Sequence, residues 1–158
     1  MTIVSTEVEI FNSFPADKLF KIIANFHKLA PKAAPEIYKS ITIIEGDGGV
    51  GTILSHVYGD GVPYATSKQK LDAIDVNNLC VDFTVFEGDM LSDYLDSIAH
   101  RVKISPTADG GAVYKHTTMF NCKGETKPTE DVLNQTNEGY KKVFKAIEAY
   151  ILDNPDAY

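Results

Sequence analysis

Hydrophobic and polar positions alternate from the start of the chain. Val4, Thr6, Val8 and Ile10 are interleaved with Ser5, Glu7 and Glu9, the period of a strand with one face covered. Pro15-Ala16-Asp17 then predicts a helix that carries Leu19, Phe20, Ile22 and Ile23 and breaks near Asn25. His27 to Pro35, with prolines at Pro31 and Pro35, suits one or two further helical turns leading back to a sheet. From Tyr38 onward short runs are separated by turn signals at Gly46 to Gly51, Gly59-Asp60-Gly61, Asp75 to Asn78 and Asp109-Gly110-Gly111. They predict six more strands, near 39–45, 52–58, 64–74, 79–86, 97–105 and 112–121, spaced as in an antiparallel meander.

The period changes only once more. Pro128-Thr129 with Glu130 and Asp131 is a helix start, and Asn154-Pro155 is its stop. Between them Val132, Leu133, Thr136, Tyr140, Val143, Phe144, Ile147 and Ile151 recur at steps of three and four, a stripe along a helix roughly 35 Å long. Lys141, Lys142, Lys145 and Glu148 fall on the other side. Such a face requires a concave partner, and the strands before it supply a sheet. The class is therefore α+β.

Several faces of that sheet are partly polar. Leu79, Val81, Phe83 and Val85 form one inward set, and Ile98, His100, Val102 and Ile104 another. Tyr114, His116, Thr118 and Phe120, with Leu54, His56 and Tyr58, complete the series, so three of the four histidines share faces with inward neighbours. A buried imidazole without a partner costs on the order of 1–3 kcal/mol. Either these groups satisfy one another, or the interior is a hydrated cavity.

Composition narrows the class of partner. The 158 residues form one domain, 1–158, and the net charge of −7 disfavours the phosphate backbone of nucleic acids. Cys80 and Cys122 lack the spacing of a disulfide framework or a zinc site, which suits free thiols in a reducing compartment. No apolar run is long enough to span a bilayer. The expectation is a cytoplasmic monomer with no cofactor, no metal, no membrane and no nucleic acid; Lys115 points outward by parity and leaves no apolar patch.

Ile43-Ile44-Glu45-Gly46-Asp47-Gly48-Gly49-Val50-Gly51-Thr52-Ile53 is the most distinctive local stretch. A glycine turn can surround an anion with amides. Here it joins two strands, no Lys-Ser/Thr follows, and Glu45 and Asp47 would repel phosphate, so a structural hairpin loop is the reading. Together with Pro31-Lys32-Ala33-Ala34-Pro35, Thr107-Ala108-Asp109-Gly110-Gly111 and the closing Ala146 to Leu152 with Asn154-Pro155, this loop resembles the plant class-ten pathogenesis-related proteins, typified by the major birch pollen allergen. The resemblance covers essentially the whole chain.

It implies a seven-stranded antiparallel sheet wrapped around the long C-terminal helix, two short helices closing one end, and a large internal cavity for a small hydrophobic or amphipathic metabolite. Cytokinins, flavonoids and sterol-like compounds are the implied ligands, in a plant defence context. Carried onto this chain, the lining is Phe20, Ile23, Ile37, Tyr38, Leu54, His56, Tyr58, Thr66, Lys68, Val81, Phe83, His100, Val102, Tyr114, His116, Thr118, Phe120, Thr136, Gly139, Tyr140 and Val143. His56, His100 and His116 are the candidates for specificity. Two enzymatic readings accompany the resemblance. The ribonuclease reading finds Glu148 and Tyr150 but meets Leu54 where a lysine is expected, and the alkaloid-condensing reading meets Glu87-Gly88-Asp89-Met90 where a tyrosine closes the motif. Histidines beside Tyr58 or Tyr114 would be the acid and base of a cavity enzyme. Binding is the leading expectation, with catalysis second and a purely surface role third.

Overall fold

The computed structural model describes residues 2–157. Seven strands, β1 (Thr2–Asn12), β2 (Tyr38–Glu45), β3 (Ile53–Tyr58), β4 (Thr66–Asp75), β5 (Cys80–Gly88), β6 (Leu95–Pro106) and β7 (Ala112–Cys122), form one antiparallel sheet in the order β1-β7-β6-β5-β4-β3-β2. The only jump in that order places β1 beside β7. The two helices α1 (Ala16–Ala24) and α2 (Phe26–Ala33) lie in the connection from β1 to β2, and α3 (Glu130–Asp153) follows β7. The seven strands and three helices are those expected. A 3-10 turn at Asp89–Leu91 is an addition that no sequence period announced.

The short helices are separated by one residue. Asn25 donates its backbone N–H to the Lys21 and Ile22 carbonyls, while its own carbonyl accepts from Lys28 and Leu29. One helix is thus closed and the next opened at the same position, as the break near Asn25 predicts. Helix α3 begins where Thr129 accepts a hydrogen bond from the Val132 N–H at 3.3 Å, with Glu130 and Asp131 in the first turn.

The glycine loop between β2 and β3 is built from within. Thr52 Oγ1 accepts from Gly48 N–H, Asp47 Oδ1 accepts from Gly49 N–H, and the Leu71 carbonyl accepts from Gly51 N–H. Gly46 has φ +98°, and a Cβ there would lie 2.7 Å from Thr52 Oγ1. Two of these amides are spent within the loop and one on β4, which fits the hairpin reading.

Two apolar clusters hold α3 against the sheet. The larger joins Leu19, Ile22, Leu29, Val102, Ile104, Tyr114, Val143, Phe144, Ile147 and Ile151. The smaller joins Val85, Leu91, Leu95, Ile98, Phe120 and Cys122, with Val132 and Leu133 packed against it. Each fully buried aliphatic side chain contributes about 1.5–3 kcal/mol. On the outer face the sheet is tied by cross-strand ion pairs, among them Arg101 to Asp82 through two 2.8 Å contacts and Lys115 to Glu7 at 3.4 Å. Exposed pairs of this kind add little.

Because α3 is held at its start by a single side-chain cap, Thr129→Ala should lower stability by about 1 kcal/mol without altering the fold. Urea unfolding followed by circular dichroism measures it. An unchanged midpoint would mean the helix start is fixed by packing of Pro128 and Val132 instead.

Candidate functional site

Between the two apolar clusters runs a polar belt, and three elements cross it in the same order. Along β6, Ile98 is followed by His100 and then Val102; along β7, Phe120 is followed by Thr118, His116 and then Tyr114; along α3, Leu133 is followed by Thr136, Asn137 and Tyr140 and then Val143. The strand register explains the juxtaposition. His100 is paired with Thr118 and Val102 with His116, so the alternation of each strand sends these side chains to one face.

In the belt, His100 Nδ1 lies 2.9 Å from His116 Nε2, and His116 Nδ1 lies 2.7 Å from the Tyr114 hydroxyl. The Tyr140 hydroxyl stands 3.2 Å from the same His100 Nδ1. A ring nitrogen offers either one proton or one lone pair. His116 and Tyr140 therefore compete for a single position, and the network is one good hydrogen bond short. The rings themselves are packed: His116 stacks on Tyr140 at 3.9 Å between centroids, and His100 on Phe83 at 4.7 Å.

A second group surrounds β3. His56 is 4% exposed. Its ring stands 6.0 Å from those of both Tyr38 and Tyr58, and the Tyr58 hydroxyl is joined to Ser67 Oγ at 2.8 Å. Among the described residues, His56 Nδ1 and Asn137 Oδ1 are buried without a hydrogen-bond partner, while the Thr118 hydroxyl faces that of Tyr140. Asn137 is otherwise engaged, donating to Thr6 Oγ1 at 2.9 Å and so tying α3 to β1.

Burial sets the charge state of this interior. It lowers His56 to about 4 and His100 to about 3, and holds His116 well below the ordinary imidazole value. The same desolvation pushes Tyr58 up to about 12 and raises Tyr38, Tyr114 and Tyr140 well above the ordinary phenol value. Imidazoles are neutral and phenols protonated throughout the physiological range.

Most of the residues expected to line a cavity do face this interior. His56, His100, Val102, Tyr114, His116, Thr118, Phe120 and Val143 are buried, as is Ile37. Phe20, Ile23, Tyr38, Leu54, Tyr58, Val81, Phe83, Thr136, Gly139 and Tyr140 are half-buried. Thr136 turns its hydroxyl onto the Val132 carbonyl at 2.8 Å, so it offers no proton to a visitor.

Thr66 and Lys68 are corrected: they lie on the outer side. Thr66 is exposed, and Lys68 pairs with Glu87 at 3.0 Å. The register sets Ser67 opposite His56 and Gln69 opposite Leu54, which puts the intervening residues outside. Ser67, Gln69, Asn137 and Phe26, which makes an edge contact with Tyr38 at 5.5 Å, were not anticipated. Asn137 was within reach, since it lies four residues after Leu133 and three before Tyr140 on the helical stripe. Asp89, from the motif compared with condensing enzymes, accepts from the Ala65 N–H at 2.8 Å and the Thr66 N–H at 3.3 Å and so fastens the start of β4.

Two open clefts of about 430 and 260 Å3 lie on the outer face of the sheet, sharing Cys80, Arg101 and Lys103 in their lining. Beneath the sheet, the space in the belt is taken up by the protein's own aromatic rings at contact distance. Among the described residues no group of histidine, cysteine and carboxylate side chains is placed to hold a metal ion. No helix there is long and apolar enough to cross a membrane.

A curved antiparallel sheet closed by one long helix, with a polar, uncharged belt between two apolar clusters, defines the helix-grip class of fold. The chain belongs to the Pathogenesis-related protein Bet v 1 family, whose model matches residues 1–154. Among its relatives is a root allergen protein of Taraxacum officinale, 51% identical over 96% of this chain and 97% of that protein. Another is ribonuclease 1 of Panax ginseng, 40% identical over 94% and 97%. The crystal structure of Ara h 8.0201 superposes with a TM-score of 0.81 at 32% identity, covering 96% of this chain and 99% of that one.

Neutral buried histidines make stability depend on pH in one direction. Their folded values are depressed, so on acidification the unfolded chain takes up protons first, near its ordinary value of about 6.5. Stability is complete above that pH and declines as pH falls toward the folded values near 4 and 3. Between pH 7.5 and 5.5 each such imidazole should remove roughly 1.3 kcal/mol. Urea midpoints at the two pH values test this, and equal midpoints would show that the rings are protonated inside the folded protein.

Proposed function

We propose that the protein binds and carries a small amphipathic plant metabolite between the sheet and α3, in a defence-related role. The observation that supports this best is the unpartnered buried His56 Nδ1, set between the rings of Tyr38 and Tyr58. Apolar area for a ligand's body and a few polar groups for its orientation are what a small-molecule site needs. Entry requires the belt to open, and the Tyr140 ring stacked on His116 at 3.9 Å is the contact that must part. The family's allergen and pathogenesis-related names are in keeping with this reading. On this reading the protein acts as a cytosolic monomer, and its two free thiols are in keeping with that.

Catalysis is the second reading: a neutral imidazole beside a protonated phenol, as at His116 and Tyr114, is the pairing a base and an acid require. The ribonuclease name of the ginseng relative meets a specific obstacle here, because Leu54 occupies the inner face of β3 where that reading needs a lysine, and the Gly48, Gly49 and Gly51 amides of the glycine loop are already bonded. Nucleic acid is disfavoured by the net charge of −7.

The chain has no tryptophan and eight tyrosines, several of them around the belt, so tyrosine emission reports directly on this interior. Titration with a flavonoid, a cytokinin and a sterol should quench it saturably for at least one of the three. Native mass spectrometry of protein isolated from plant tissue should find that class of compound bound unchanged. A converted product would point to an enzyme, and no saturable response from any of them would overturn the binding reading.

A further inference from the structure

His56 is the histidine that the belt leaves over. His100 and His116 bond each other and two tyrosines, whereas His56, 4% exposed, has no partner at Nδ1. Its immediate neighbour cannot supply one, because the Tyr58 hydroxyl is committed to Ser67 at 2.8 Å. An unmet buried nitrogen costs on the order of 1–3 kcal/mol, and a ligand that met it would recover that loss on binding.

The surroundings restrict what the ligand can be. The buried polar side chains among the described residues are asparagine, threonine, serine and histidine only. No carboxylate, lysine or arginine is there to neutralise an ionised guest, and an unpaired charge in such an interior is strongly disfavoured. Nor does His56 become a counter-charge, since burial keeps it neutral down to about pH 4. A neutral imidazole presents a donor on one nitrogen and an acceptor on the other, depending on tautomer. A carbonyl or an ether satisfies Nδ1 in only one tautomer. A hydroxyl, which both donates and accepts, satisfies it in either.

We propose that the interior selects an uncharged ligand carrying a hydroxyl group, and that His56 is the residue that reads that hydroxyl. This rests on the interior-binding reading above and adds to it the class of ligand and the residue that discriminates.

Three naphthalene probes separate the two. 2-Naphthol carries the hydroxyl, 2-methylnaphthalene has nearly the same shape without it, and 2-naphthoate is ionised at pH 7. The affinity ratio of 2-naphthol to 2-methylnaphthalene should be about tenfold larger in the wild-type protein than in His56→Phe, which keeps a ring between Tyr38 and Tyr58. The 2-naphthoate should bind at least tenfold more weakly than 2-naphthol. Nitrogen-15 spectra of the wild-type imidazoles provide a readout independent of the variant, with the His56 Nδ1 resonance moving on addition of 2-naphthol and not of 2-methylnaphthalene. Equal ratios in the two proteins, a naphthoate that binds as tightly as the naphthol, or an unmoved His56 resonance would overturn the assignment while interior binding stands. Failure of all three probes to bind saturably would overturn interior binding and this inference with it.

Discussion

Everything in this molecule depends on how the long helix is gripped. The faces of α3 and of the curved sheet are apolar at both ends of the contact and polar in the middle, so the two apolar clusters fix the separation at which the belt between them must function. Were the middle aliphatic as well, the helix would have a continuous contact and the interior no chemistry. With the belt in place, hydrophobic burial at the two ends supports the cost of desolvating three imidazoles and several phenols. The belt is polar but uncharged because desolvation of its imidazoles and phenols disfavours their charged forms.

The histidine network carries a conflict that sequence-level consistency would not permit in an ordinary core. His100 Nδ1 faces both His116 Nε2 and the Tyr140 hydroxyl, and it serves one of them well at a time. Proteins keep such half-satisfied networks where something else completes them. Tyr140 is the member best placed to yield, because it comes from the helix while its competitors come from the sheet, and a small shift of α3 moves it relative to both.

How much of this was legible in the sequence differs from element to element. In β6 and β7 the alternation is strict, Ile98-His100-Val102-Ile104 against Arg101 and Lys103, and the inward set was read correctly down to the two histidines. In β4 it was not. Thr66-Ser67-Lys68-Gln69-Lys70 is polar on both faces, so nothing in its pattern fixes which parity points inward, and register shifts between Lys68 and Gln69 and between Leu71 and Ala73 break the period. The resemblance carries Thr66 and Lys68 into the lining, and this pattern offers nothing to correct it. The pairing of Ser67 with His56, which sets the true parity, is a tertiary fact. Asn137 was passed over for a different cause: it sits on the helical stripe, but a polar residue there reads as surface until its bond to Thr6 across the sheet is seen.

The stacking within the belt bears on how a binder of this shape would work. His116 and Tyr140 are in contact at 3.9 Å, so a ligand seated between them binds a more open arrangement than this one. Population of that arrangement reduces the apparent affinity by its fraction. The unmet hydrogen bonds at His56 and Asn137 lower that cost, since the closed state is already strained by what it leaves unsatisfied. A guest whose polar groups match those atoms gains most by opening the belt, and one that merely fills space gains least. Selectivity in such a protein resides less in the size of the interior than in which of its polar atoms remain without partners when it is empty.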